Sequence, residues 1–257
     1  MAVTIKSEHE IALMRESCRL LAIVHDEIAK MIEPGITTLE LDRKANHMIT
    51  KEFGCKPNFL HLYGFPYTIC TSVNDEVVHG FPSKKVILRE GDIISVDMGL
   101  IYKGYHSDAA RTHAVGKISD EDRKLIEVTK QSFFEGMKFA KAGNHLYDIS
   151  AAVQAYAESF GFGVVRDMVG HGIGTVLHED PQIPNFREPG MGKGIRLRPG
   201  MTLAVEPMIN AGTWQVDIDG WKCVTKDGRK SAHYENTIVI TEGEPEILTL
   251  YRDGREV

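Results

Sequence analysis

The stretch GDIISVDMGLIYKGYHSDAARTHAV, residues 91–115, holds two β-like runs that meet at Tyr102-Lys103-Gly104. A two-residue loop at Tyr102-Lys103 makes it a hairpin in which Asp97 faces Asp108, and moving the loop by one residue leaves them near neighbours. Like charges opposed across a hairpin destabilise it, and two close carboxylates resist ionising together. A bound cation removes that conflict. Two solvated acids beside a turn are the plainer reading, and the hairpin alone does not choose.

Three further residues tip the balance. Val164 to Val169 reads as a strand leading into Gly170-His171-Gly172-Ile173-Gly174, so His171 sits between glycines that let backbone and metal approach closely. Thr202-Leu203-Ala204-Val205-Glu206 is a short apolar strand stopped by Pro207. Residues 231–240 read as another strand, with Glu235 inside an otherwise β-branched and apolar run. A Glu at a strand end is usually solvated, whereas one inside so apolar a strand is more often paired or liganded. Asp97, Asp108, His171, Glu206 and Glu235 together carry a formal charge of −4, which two divalent cations balance. A structural zinc site would favour Cys and His. This oxygen-rich set suits Mn(II) or Fe(II), with Co(II) and Zn(II) as substitutes. Two such ions roughly 3.5–4 Å apart would clamp a water and polarise a carbonyl, which is the equipment for amide hydrolysis.

The chain has 257 residues, enough for a sizeable core, with net charge −6 and no basic block, which argues against sequence-independent nucleic-acid binding. The opening MAVTIKSEHEIALM lacks a signal-peptide core, and no run approaches a membrane span. Cys18, Cys55, Cys70 and Cys223 are scattered without a CxxC pair, so we expect free buried thiols and a cytoplasmic enzyme.

The order of elements repeats. Ser7-x-x-Glu10 and Thr37-x-x-Glu40 are capping boxes that open two helices, the second ending near Phe53-Gly54, with strands near 67–73, 92–101 and 104–115. Helices over 120–141 and 146–160 follow, then strands near 163–169, 202–206 and 231–240. Leu39, Ala45, Phe53 and Gly54 match Leu146, Ala152, Phe160 and Gly161 at a constant offset of 107. We expect one catalytic domain over 1–257 made of pseudo-two-fold halves, about 5–117 and 118–250, with the site at their junction. The Gly- and Pro-rich stretch 180–200 reads as a long loop, either bordering that site or merely connecting.

Across almost its whole length the chain resembles the type I methionine aminopeptidases in their bacterial form. The resemblance rests on Asn74-Asp75-Glu76-Val77-Val78-His79-Gly80, Asp92 to Asp97, Asp108, Gly170 to Gly174 with His178-Glu179, Glu206-Pro207-Met208 and Tyr234-Glu235-Asn236-Thr237. It implies an α+β pita-bread fold, a curved antiparallel sheet backed by two helix pairs. It implies that Asp108 and Glu235 bridge two metals, that Asp97 completes one site, and that His171 and Glu206 complete the other. A metal-bridging hydroxide would attack the scissile carbonyl, with Glu206 as proton shuttle and His79 and His178 holding the substrate amide and the tetrahedral intermediate. A lone His is more often structural or solvated, and only the resemblance reverses that for these two.

Tyr63, Phe65, Cys70 and Trp221 match segments of the family's side-chain pocket, although core packing explains the aromatics too, Tyr63 above all. Phe59, Leu62 and Leu177 stand where bacterial relatives often carry Cys, Tyr and Phe, and His233 where Gln is common. By strand alternation His233 shares a face with Glu235. Asn74 and Ser231 match a loop that holds a monovalent cation in relatives. The resemblance further implies removal of initiator methionine ahead of a small second residue, nascent polypeptide N-termini as substrates, a transient ribosome contact and a monomer.

Xaa-Pro aminopeptidases and prolidases use the same ligand types but generally add an N-terminal domain. Type II methionine aminopeptidases carry a helical insertion between the last two glutamates, and Glu206 and Glu235 are only 29 residues apart. Pita-bread proteins that serve as binding modules lack one or more of the ligands, whereas all five are present here. A dinucleotide site fails at Thr175, where the third glycine of its motif is needed, and HExxH fails at Gln182.

Overall fold

The hairpin forms, with its turn one residue later than expected. In the computed structural model, which describes residues 3–250, Tyr102 pairs with Tyr105 and the loop is Lys103-Gly104. Both loop residues have positive φ, 49° and 86°. A two-residue turn that matches the strand twist needs this conformation twice and favours Gly at the second position, so Gly104 sets the register. The shift pairs Asp97 with Ala110 and Asp108 with Gly99. The two acids are therefore diagonal neighbours on one face rather than direct partners.

The first half of the chain contributes α1 (Glu8–Met31), α2 (Thr38–His47), β1 (Lys56–Pro57), β2 (Ile69–Val73), β3 (Glu76–Val78), β4 (Ile93–Tyr102) and β5 (Tyr105–Ala114). The second contributes α3 (Asp120–Met137), α4 (Leu146–Ser159), β6 (Gly163–Val164), β7 (Gly170–Gly172), β8 (Glu179–Ile183), β9 (Thr202–Val205) and β10 (Met208–Asn210). It continues with β11 (Val216–Asp219), β12 (Lys222–Thr225), β13 (Ser231–His233), β14 (Glu235–Val239) and β15 (Glu246–Ile247). Ser7 and Thr37 form the expected capping boxes on α1 and α2. A π-helical turn over Met48–Glu52 carries α2 on to Phe53-Gly54, and α4 ends at Phe160-Gly161, with Gly54 and Gly161 at φ 63° and 82°, the left-handed geometry that closes a helix.

The main sheet is antiparallel in the order β1-β4-β5-β14-β9-β7-β8, with β2 on β4 and β15 on β14. Strand alternation sorts its faces. Ile94, Val96, Met98 and Leu100 of β4 pack with Leu21, Val24 and Ile28 of α1 and Leu41 of α2. Leu203, Val205 and Ile238 pack with Phe133 of α3 and Ile149 and Val153 of α4. Each helix pair thus covers one half of the sheet, and burying these apolar faces is the main force holding the halves down. The opposite face carries Asp97, Asp108, His171 and Glu235.

Two expected strands differ. Residues 163–169 supply only the two-residue β6, and His171 instead sits within its own strand, β7. Arg166 and Asp167 break the apolar run that suggested a continuous strand. The 231–240 strand divides at Tyr234, whose N–H donates to Pro207 O at 3.1 Å. Beyond that level β13 and β10 leave the main sheet and pair with each other, with β6 as the third strand. Pro207 enforces the break, because it has no N–H for the ladder. Glu206 and Glu235 therefore lie where the two sheets part.

Candidate metal centre

Pairing across five strands brings the donors together. Ala110 is flanked in the ladder by Asp97 on β4 and Glu235 on β14. His171 on β7 lies opposite Ala204 on β9, and Val205 opposite Asn236 sets Glu206 beside Glu235 at the next step. Asp108 is fixed through Thr237, whose hydroxyl accepts its N–H at 3.0 Å and donates to its carbonyl at 2.8 Å.

One ligand atom each from Asp108, His171 and Glu235 lie within 4.8 Å of one another. His171 Nε2 stands 3.7 Å from Asp108 Oδ2 and 3.8 Å from Glu206 Oε1. His171 Nδ1 is 2.9 Å from Gly172 O, which assigns the proton to Nδ1 and leaves Nε2 with a lone pair for a cation. Burial lowers the His171 pKa to about 4, so it stays neutral as a ligand must. Asp108 and Glu235 are pushed well above the usual carboxylate range, by burial first and then by the neighbouring acids. Burial likewise raises Asp97 to about 7 and Glu206 to about 8. Asp97 Oδ1 and Asp108 Oδ1 are buried with no hydrogen-bond partner among the described residues. Buried acids that repel one another and lack partners are the pattern a positive ion satisfies, so these residues fit a divalent metal.

The donors close one end of a cavity of about 480 Å³. Its apolar side is lined by Phe59, Leu62, Phe65, Cys70 and Trp221. Phe65 is 2% exposed and packs edge-on to Phe59 and Trp221 at 6.5 and 5.3 Å. Burial holds the Cys70 thiol protonated, so it serves as an apolar wall. Leu177 is buried in the cluster behind this wall, with Phe59, Phe65 and Cys70. Tyr63 departs from the core alternative: it is 72% exposed, has φ 50°, and stacks on His178 at 6.0 Å and 11°.

His79 and His178 stand on the cavity wall, His178 at 4.5 Å from the His171 ring and His79 edge-on to Trp221 at 5.8 Å. Burial lowers the His79 pKa to about 4, and its φ of 61° is a strained conformation of the kind that clusters at functional sites. Asn74 and Ser231 also adjoin, with Ser231 N–H donating to Asn74 O at 2.8 Å. Asp167, Met168 and Val169, missed by the sequence reading, line the cavity because the chain there is irregular. The 180–200 stretch borders it through Asp180 and Gln182. Lys6 and Glu179 form a buried ion pair beside His178, their side chains 5% and 8% exposed. The four cysteines are free and buried, as expected. Among the described residues no helix is long and apolar enough to cross a membrane.

Comparison with known proteins agrees with this geometry. Residues 12–242 match the model of metallopeptidase family M24. A methionine aminopeptidase of Clostridium acetobutylicum is 52% identical over 250 residues, covering 96% of this chain and 99% of that protein. The crystal structure of the Thermotoga maritima methionine aminopeptidase superposes with a TM-score of 0.93 at 44% identity, covering 96% of this chain and 99% of the other, so the expected pita-bread fold is the one observed. The Xaa-Pro dipeptidase of Bacillus anthracis is more distant, with a TM-score of 0.78 at 25% identity over 96% of this chain and 62% of its own. The chain belongs to metallopeptidase family M24 and, within it, to the methionine aminopeptidases.

Proposed function

We propose that this chain removes the N-terminal methionine from polypeptides whose second residue is small. The observation that carries the reading is the single cavity in which five converging donors face an apolar aromatic wall. In this reading Asp97, Asp108, His171, Glu206 and Glu235 would hold two divalent ions, Mn(II), Fe(II) or Co(II) with Zn(II) as a substitute, with Asp108 and Glu235 serving both ions, Asp97 one, and His171 and Glu206 the other. Bound there, the ions would polarise the scissile carbonyl and make water nucleophilic near neutral pH.

The chain's own residues do the rest. The wall of Phe59, Leu62, Phe65, Cys70 and Trp221 takes the methionine side chain, whose unbranched thioether packs well against ring edges. His79 and His178, both on that cavity, donate hydrogen bonds to the substrate amide and to the oxyanion of the tetrahedral intermediate. Glu206 takes a proton on its carboxylate and delivers it to the leaving nitrogen. Substrate must present a free amine at the metal end, so a formyl group has to be removed first. The backbone carbonyls of Asn74 and Ser231 would hold a monovalent cation.

The protein works in the cytoplasm as a monomer with one catalytic domain, meets nascent chains, and touches the ribosome transiently. Its −6 charge and lack of a basic block fit a protein without sequence-specific nucleic-acid contacts. A peptide panel tests specificity. Release from Met-Ala-Ser and Met-Gly-Ser should far exceed that from Met-Leu-Ser and Met-Phe-Ser. Equal release across the panel would refute the small-residue preference.

A further inference from the structure

His233 lies beside the metal centre with no role in the reading above. It is 2% exposed, and both ring nitrogens are buried with no hydrogen-bond partner among the described residues. An imidazole carries at least one N–H, and an unmatched buried donor costs about 1–3 kcal/mol, so native interiors supply an acceptor. Asp97 is close enough to act on the ring's charge, but the acidic oxygen within 4 Å is Glu206 Oε2, 3.6 Å from His233 Nε2. The other oxygen of that carboxylate, Oε1, faces His171 Nε2 at 3.8 Å. Glu206 thus lies between two imidazoles, one near each oxygen.

Backbone hydrogen bonds fix the strand at His233. Its N–H donates to Thr112 Oγ1 at 2.8 Å, and its carbonyl accepts from the same hydroxyl at 2.9 Å. On its other side it pairs with Met208, two residues past Glu206. The strand that carries the ring is therefore fixed independently of any motion of Glu206.

We propose that His233 is a positioning residue for Glu206: its Nε2–H donates to Oε2, so that Oε1 alone is presented beside His171. This rests on Glu206 and His171 being metal donors. The two histidines then take opposite tautomers, His171 with its proton on Nδ1 and His233 with its proton on Nε2. A carboxylate tied at one oxygen cannot swing to chelate with both, which fixes the geometry of the metal it holds. Partners that orient metal ligands in this way typically change affinity by about 10–100-fold.

The test is calorimetric titration of Mn(II) into metal-stripped protein, with melting curves to verify folding. His233→Leu should weaken Mn(II) binding by about tenfold or more, and His233→Gln, whose amide can donate to the same oxygen, should restore most of it. Wild-type affinity in His233→Leu overturns the proposal, as does a loss that Gln fails to rescue. His171→Ala separates this from the underlying reading. If it too binds Mn(II) like wild type, the metal centre itself is misassigned. If it loses binding while His233→Leu does not, only the positioning role falls. Should His233→Leu not fold, ¹⁵N-histidine NMR of the Zn(II)-loaded wild type decides. An exchange-protected Nε2–H on His233 is expected, and an Nδ1–H tautomer overturns the proposal.

Discussion

Gly172→Ala is a small change that should reach the metal centre. A Cβ at this position would lie 2.7 Å from the Asp180 carbonyl carbon, closer still to its oxygen, and 3.2 Å from Glu179 O. Ordinary carbon contacts sit at about 3.5–4.0 Å, so β7 and β8 must part by roughly 1 Å. No flexible side chain can give way, because every obstructing atom is backbone. Overpacking of this kind costs about 1–3 kcal/mol, which in a chain of this size lowers the melting temperature by about 2–4 °C per kcal/mol. The strain also lands on His171, whose Nδ1 bonds the carbonyl of Gly172 itself. A displacement of about 1 Å at a positioned group can cost ~10²-fold in turnover. Gly243→Ala is the control, since nothing lies within 4 Å of its Cβ. Scanning calorimetry and Mn(II) titration should show Gly172→Ala less stable and weaker in metal binding, with Gly243→Ala unchanged in both. If the two variants behave alike, the argument that close β7–β8 contact holds His171 in place is refuted.

Three other outcomes are expected. His79→Ala should lower turnover ~10²-fold or more, as loss of a transition-state hydrogen bond does; unchanged turnover in a folded, metal-loaded variant removes His79 from the mechanism. Lys6→Met strips the cation from the buried Lys6–Glu179 pair, costing about 3–5 kcal/mol in urea unfolding, and adding Glu179→Gln should recover much of it; a single mutant as stable as wild type contradicts a buried pair. Burial, reinforced by Arg111, depresses His113 to about 4 and His25 well below its ordinary value. At these two sites the folded chain therefore binds fewer protons than the unfolded chain below about pH 6.5, and their contribution to stability should fall with decreasing pH by up to about 1.4 kcal/mol per unit per histidine. For His113 the loss continues to about pH 4. Denaturant titrations at several pH values check this, and His113→Gln should flatten the slope.

The candidate donors stand out in the sequence because their neighbours punctuate the chain: glycines around His171, Pro207 after Glu206, alternation around Asp97, and an apolar, β-branched run around Glu235. Alternation also tolerates a register error. The turn moved by one residue, yet Asp97 and Asp108 stayed on one face. Turn chemistry is the missing ingredient, since Gly104 belongs to the turn and not to the strand. The strand expected over 163–169 shrinks to Gly163–Val164 because only that end finds a partner, in β10, and β propensity depends on such context. The division of 231–240 at Tyr234 depends on Pro207, far away in sequence. Tyr63 could not be placed, because an exposed ring at φ 50° and a core ring have the same composition signal. The Lys6–Glu179 pair spans 173 residues and left no local trace.

The most direct test measures release of free amino acid from Met-Ala-Ser and Gly-Pro-Ala by metal-stripped protein, before and after adding Mn(II), Fe(II) or Co(II). Release of methionine alone, and only after metal is restored, is the predicted result. Release of glycine from the proline peptide, or release unaffected by metal, would contradict it.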